Sequence, residues 1–116
     1  MSDLIDLRDG MRAFTEARGW GRFHDPKSLI LALVGEVGEL SELFQWLPAD
    51  QAAELASDGE LRGRASDEIA DVLLYLVRLA DVLDIDLPSA ATDKLERSRE
   101  KYLPGDDPDR YRRTTV

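Results

Sequence analysis

Two short segments of this 116-residue chain place pairs of carboxylates where a helix would ordinarily present leucine. In Glu36-Val-Gly-Glu39-Leu and Glu68-Ile-Ala-Asp71-Val the acids share one spacing and one acid-apolar-small-acid-apolar order. With about 100° per residue and Glu36 at zero, Leu29, Leu40, Leu43 and Leu47 fall within about 40° of it, and Glu39 about 60° away. With Glu68 at zero, Val72, Tyr75, Leu79 and Val82 fall within about 40°, and Asp71 about 60° to the same side. Glu42 falls on the polar flank and reads as an ordinary solvated acid. Two helices thus carry matching acid pairs toward a core.

Packed as antiparallel neighbours, these helices would bring four carboxylates near one point, where like charges about 5 Å apart repel by roughly 3 kcal/mol at an effective dielectric of 20. Compensation can come from protonation, a basic partner or a hard cation. An oxygen-only donor set without His or Cys suits Mg²⁺ or Mn²⁺ much better than Zn²⁺. One acid pair alone would be a common charged helix surface. Two pairs, each centred in an apolar stripe, point to use, because a buried isolated carboxylate costs several kcal/mol. The expectation is a metal site of Glu36, Glu39, Glu68 and Asp71. Gly35 and Gly38 each cost roughly 1 kcal/mol against Ala inside a helix. They suit either close helix packing or space beside the acids for water and phosphate oxygens.

The elements that must hold these acids follow from periodicity and breakers. From Ser2 to about Ala17, Leu4, Leu7, Met11 and Phe14 recur at helical spacing, and Gly19 ends the run. Gly19 to Asp25 is turn-like and holds Trp20, Phe23 and the sole histidine, His24. Asp25-Pro26 reads as an N-cap followed by proline in the first helical position, opening a second helix to about Leu47, which Pro48 closes. Residues 48 to 60 are a polar, Ala-rich connection with room for one short helical turn. A third helix is expected from about Leu61 to Leu83, and a fourth from near Pro88 to about Tyr102. No strand-like alternation occurs, so the predicted class is all-α, four antiparallel helices joined by short connections. Residues 1–103 are read as one domain and 104–116, with Pro, Gly and Asp before Arg-Tyr-Arg-Arg, as a mobile tail. Leu73, Leu74 and Val77 make the third helix apolar away from its acids, which suggests burial on a second side, by its own neighbouring helices or, more simply, against another copy of the chain.

Bulk properties narrow the function classes. The 24 Asp and Glu against 15 Lys and Arg give a formal charge of −9, which argues against nucleic acid as a partner. Absence of cysteine excludes disulfides, thiolate metal sites and cysteine nucleophiles. The N-terminal segment carries acids where a leader peptide needs basic residues, and no run approaches about 18 uninterrupted apolar residues. A cytoplasmic protein without membrane association is expected.

With the acids, the aromatic turn and the helix order in view, the chain resembles the MazG-like all-α nucleoside triphosphate pyrophosphohydrolases, in the branch of the dCTP pyrophosphatases. The similarity covers about residues 4 to 103. It is densest in FTEARGWGRFHDPKSLILALVGEVGELSELFQW and DEIADVLLYLVRLADVLDIDLP. The resemblance implies that Glu36, Glu39, Glu68 and Asp71 bind Mg²⁺, with Mn²⁺ as a substitute. Water would then split the α–β phosphoanhydride into monophosphate and pyrophosphate, with Glu39 the candidate to orient or deprotonate it. It further implies that Trp20, His24, Trp46 and Tyr75 enclose the base, aromatic faces being suited to stacking. Lys94 is the best match for a phosphate-neutralising residue, with Arg97, Arg99 and Lys101 as others on the same segment. A homodimer or homotetramer completing the site, and a role in clearing modified or surplus deoxynucleotides, are also implied. Two positions depart from the branch, Met11 where it has His and Ser98 where it has Asn. Both bear on base preference and leave the acids intact. dCTP or a modified dCTP is the first expectation. The alternatives are dUTP or a non-canonical purine triphosphate on the same chemistry, or a non-catalytic helical interaction module.

Overall fold

The computed structural model describes residues 3–105, in which helices alternate with turns and no strand occurs. Helix α1 spans Asp3–Ala17, a 3-10 turn Trp20–Phe23, α2 Pro26–Phe44, the single-turn α3 Ala52–Leu55, α4 Gly59–Val82 and α5 Leu87–Lys101. The all-α class read from the periodicity is the observed one, and α3 is the short turn foreseen in the connection. Two compact units result, Met1–Ile85 and Asp86–Val116. The expected tail lies almost wholly outside the described residues.

Both proline-initiated helices start by the same device. Asp25 Oδ1 accepts from the backbone N–H of Ser28 at 2.9 Å, and the Ser28 hydroxyl donates to Asp25 Oδ2 at 2.7 Å. Asp86 likewise accepts from the N–H of Ser89 at 3.2 Å. In each case a carboxylate satisfies a first-turn amide while proline occupies a position whose N–H would have no helical partner. Helix α1 stops where Gly19 adopts φ 66°. Helix α4 stops at a Schellman arrangement: Ile85 N–H bonds Ala80 C=O at 2.8 Å and Asp84 N–H bonds Asp81 C=O at 3.1 Å. Asp84 takes the left-handed position there, at φ 56°, usually given to glycine.

In the first unit α4 packs against both α2 and α1. Its buried positions are Ala65, Val77, Arg78 and Ala80, and Leu29 of α2 is the most buried large apolar side chain. Val77, expected to be buried most simply against another copy, is already buried within the chain, and Leu74 lines a cavity together with residues of α1. The chain's own α1 therefore covers that side of α4. Leu73, the third residue of that expected face, stays exposed together with Ile69 and Leu76, as do Ile30, Leu31, Val34 and Val37 on α2. No helix among the described residues is long and apolar enough to cross a membrane.

Candidate active site

The packing of α2 on α4 brings Glu36, Glu39 and Glu68 together, each offering a carboxylate oxygen within 4.8 Å of the others. Glu36 and Glu68 are half-buried and Glu39 is exposed at the edge. Glu36 Oε2 and Glu68 Oε2 are both shut off from solvent and neither has a hydrogen-bond donor. Two carboxylates facing each other without a donor can be satisfied only by a shared proton or a cation. Accordingly Glu36 is pushed up to about 7, chiefly by a proton shared with Glu68, then by burial and by the charges of Glu39, Asp71 and Glu68. The orphaned oxygens and the all-oxygen donor set fit a hard divalent cation. Asp71, the fourth acid of the pattern, stands outside the tight group of three, but its charge acts on Glu36.

Asp71 also belongs to the wall of a cavity of about 430 Å³ between α1, the 3-10 turn and α4, so the cavity and the acid cluster adjoin through it. That volume suits a small organic ligand of nucleoside size. Leu7, Met11, Phe14, Trp20, Leu74 and Tyr75 form its apolar lining, and Asp6, Thr15 and His24 join Asp71 as polar members. Phe14 and Trp20 meet edge to face, ring centroids 5.6 Å apart, and the Arg18 guanidinium lies 3.6 Å above the Phe14 ring. Trp20, His24 and Tyr75 of the implied base pocket are thus gathered around one cavity, with Met11 among them. Trp46 is not: it follows α2 and stands 86 % exposed. Lys94 is exposed on α5, in the second unit, as are Arg97, Arg99 and Lys101, and Ser98 is half-buried there.

This chain matches the MazG nucleotide pyrophosphohydrolase domain over residues 24–103. It belongs to that family. Within the family it is 43% identical over 99 residues to dCTP pyrophosphatase 1 of Bos taurus, covering 85% of this chain and 59% of that protein. The Homo sapiens protein of the same name is 42% identical over 99 residues, 85% of this chain and 58% of its own length. The chain therefore spans about three-fifths of the length of the curated relatives it matches. A crystallised pyrophosphatase from Archaeoglobus fulgidus superposes with a TM-score of 0.79 at 38% identity, over 88% of this chain and 94% of that one.

Inside this MazG-type scaffold the structure adds residues that the sequence reading did not single out. Arg78, buried on α4, donates from Nε to His24 Nδ1 at 3.0 Å and from Nη1 to Asp81 Oδ2 at 3.1 Å. Arg12 of α1 also grips Asp81, its Nε donating to Oδ2 at 3.1 Å. The Arg12 hydrogen bond, with the charges of Arg12 and Arg78, holds the Asp81 carboxyl below the usual carboxylate range. Thr15 is fully buried on the cavity wall and its Oγ1 has no partner. Arg78 could have been found by the argument used for Glu36, because it interrupts the apolar run Leu-Leu-Tyr-Leu-Val-Arg-Leu-Ala.

Proposed function

We propose that this protein is a divalent-cation-dependent nucleoside triphosphate pyrophosphohydrolase that splits the α–β phosphoanhydride, with dCTP or a modified dCTP as first substrate. The observation that carries the reading is the pair of donor-less, solvent-shielded oxygens on Glu36 and Glu68 beside an aromatic cavity of nucleoside size. The family match and the relatives named dCTP pyrophosphatase 1 support the choice of bond and base.

Glu36, Glu39, Glu68 and Asp71 would hold Mg²⁺, or Mn²⁺ in its place, and the cation when bound supplies Lewis-acid polarisation of the phosphate oxygens. Glu39, the exposed member at the cluster's edge, takes a proton from the attacking water. One water enters, the bridging P–O bond breaks, and the products are a nucleoside monophosphate and pyrophosphate. Trp20, Tyr75 and His24 receive the base in the cavity, where Phe14 braces Trp20. Roles for Trp46 at the base and Lys94 at phosphate rest on the family resemblance. The catalytic domain is read as residues 1–103, working in the cytoplasm as a homodimer or homotetramer. The exposed stripes Ile30, Leu31, Val34 and Val37 on α2 and Ile69, Leu73 and Leu76 on α4 support self-association, since contiguous apolar surface favours a partner.

The test is incubation of the purified chain with a panel of nucleoside triphosphates and Mg²⁺, followed by chromatography. Monophosphate plus pyrophosphate is expected, fastest with a cytosine deoxynucleotide. Orthophosphate release would show another bond is cut. Inactivity with both Mg²⁺ and Mn²⁺ would favour a non-catalytic interaction module.

A further inference from the structure

Among the charged groups of the first unit, Arg78 is buried, serves neither the acid cluster nor phosphate in the mechanism above, and ends on the imidazole of the cavity wall. We propose that Arg78 is a positioning residue that fixes His24 with its proton on Nε2, so that the cavity presents a permanent neutral donor to a carbonyl oxygen of a pyrimidine base.

A guanidinium only donates, so the nitrogen it faces at 3.0 Å must offer a lone pair, and that nitrogen is Nδ1. A neutral imidazole with Nδ1 bare carries its hydrogen on Nε2. A second proton on Nδ1 would set an N–H against the arginine. Consistently, burial first and the Arg78 charge second hold His24 below its ordinary value. The ring lines the cavity, and Nε2 is the polar atom it has left to offer.

Arg78 is itself held. Its second bond runs to Asp81, and Asp81 is gripped by Arg12 from α1. The relay Arg12–Asp81–Arg78–His24 thus joins α1, α4 and the loop between the 3-10 turn and α2, so the arginine that faces the imidazole is itself anchored through Asp81 to α1. A neutral donor suits an uncharged acceptor rather than a phosphate. The carboxylates among the lining residues, Asp6 and Asp71, can only accept when ionised, so they cannot do the work of His24. Thr15 supplies a second unpartnered polar atom to this wall, able to donate or accept.

The substrate half of this inference rests on the pyrophosphohydrolase reading, whereas the tautomer does not, and the experiment separates them. The untagged chain has one histidine, so a long-range ¹H–¹⁵N spectrum reports His24 alone. Without nucleotide, the wild type should show the Nε2–H tautomer alone. Arg78→Met should give averaged tautomers, and Arg78→Lys, which keeps one donor but not the fork, should restore the pattern in part. With dCTP and Mg²⁺, Arg78→Met should raise KM roughly tenfold while kcat changes less than about twofold, the scale of one hydrogen bond made equally in ground and transition states. Adding the α,β-imido analogue of dCTP to the wild type should shift the Nε2 proton and slow its exchange. A wild type with the Nδ1–H or averaged tautomer overturns the proposal. So does an Arg78→Met variant with unchanged tautomer and KM, which would make the relay merely structural. If that variant fails to fold, an Nε2 proton unmoved by the analogue overturns the proposal from the wild type alone. A wild type that turns over no nucleoside triphosphate overturns the functional reading and the substrate named here, and is told apart because the tautomer spectrum needs no nucleotide.

Discussion

Replacing Glu68 by glutamine removes one charge from the acid cluster while keeping the side chain's shape, and so separates the strain of the cluster from its use. At the outer separation of 4.8 Å, two unit charges repel by about 3 kcal/mol at an effective dielectric of 20. Glu36 and Glu68 are half-buried rather than enclosed and Glu39 is exposed, so solvent screening leaves about 1 to 2 kcal/mol to be recovered. The new amide also offers the N–H that Glu36 Oε2 lacks. In the absence of cation, at about pH 8.5, Glu68→Gln should therefore be more stable than the wild type by about 1 to 2 kcal/mol. The pH dependence carries a sign. Glu36 titrates at about 7 in the folded chain against 4.5 ordinarily, so the folded state binds its proton more tightly. The cation-free wild type then gains stability as pH falls from above 7 toward 4.5, and the gap to the variant closes over that window. Urea unfolding followed by circular dichroism with EDTA, at about pH 8.5 and 5.5, measures both effects. Repeating it with millimolar Mg²⁺ should stabilise the wild type and leave the variant unmoved. A cation-free variant less stable than the wild type at the higher pH refutes the reasoning. Equal stabilisation of both proteins by Mg²⁺ would do so too.

Proton and cation compete for Glu36, so apparent cation affinity should fall about tenfold between pH 8 and 6, with net proton release on binding at the lower pH; calorimetry in buffers of different ionisation enthalpy checks this. Asp84→Gly, which relieves a left-handed backbone on a residue with a side chain, should raise stability by about 0.5 kcal/mol, read as a shifted urea midpoint. Val34→Glu on α2 and Leu73→Glu on α4 should each convert the proposed oligomer to monomer by sedimentation velocity while leaving the helical dichroism intact. Unchanged sedimentation in both would remove these stripes from the interface.

What could be read from the sequence was whatever is encoded within one helical turn or along one face. The Asp25-Pro26 start is a local competition for a few amides, and it lies where it was placed. Glu36 and Glu68 were found because a carboxylate among leucines at helical spacing is conspicuous in one dimension. The far end of α2 was overrun by three residues, because the chain leaves the α-helix at Phe44 and closes a tighter turn, Leu47 N–H to Phe44 C=O at 3.0 Å, before Pro48. Helix-end tightening of this kind has little signature beyond the proline. Arg78 with His24 and Arg12 with Asp81 join residues 54 and 69 positions apart. Nothing local marks those pairings, although each charge on α4 could have been flagged as misplaced. Burial of Val77 was expected but its cover was misassigned, because periodicity shows that a face is apolar without saying whether α1 or another molecule covers it.

The division of labour along α4 has a consequence for how such a protein changes over generations. Glu68, in its N-terminal half, meets the acids of α2, Asp71 sits at the midpoint where cluster and cavity adjoin, and the remainder of its C-terminal half, with α1 and the aromatic turn, carries Tyr75, Arg78 and Asp81. Substitutions at Met11, Thr15 or Arg78 can therefore remodel what the cavity accepts without disturbing the carboxylates. On the proposed function, lineages sharing this scaffold are free to drift in the base they recognise while inheriting the acid cluster whole.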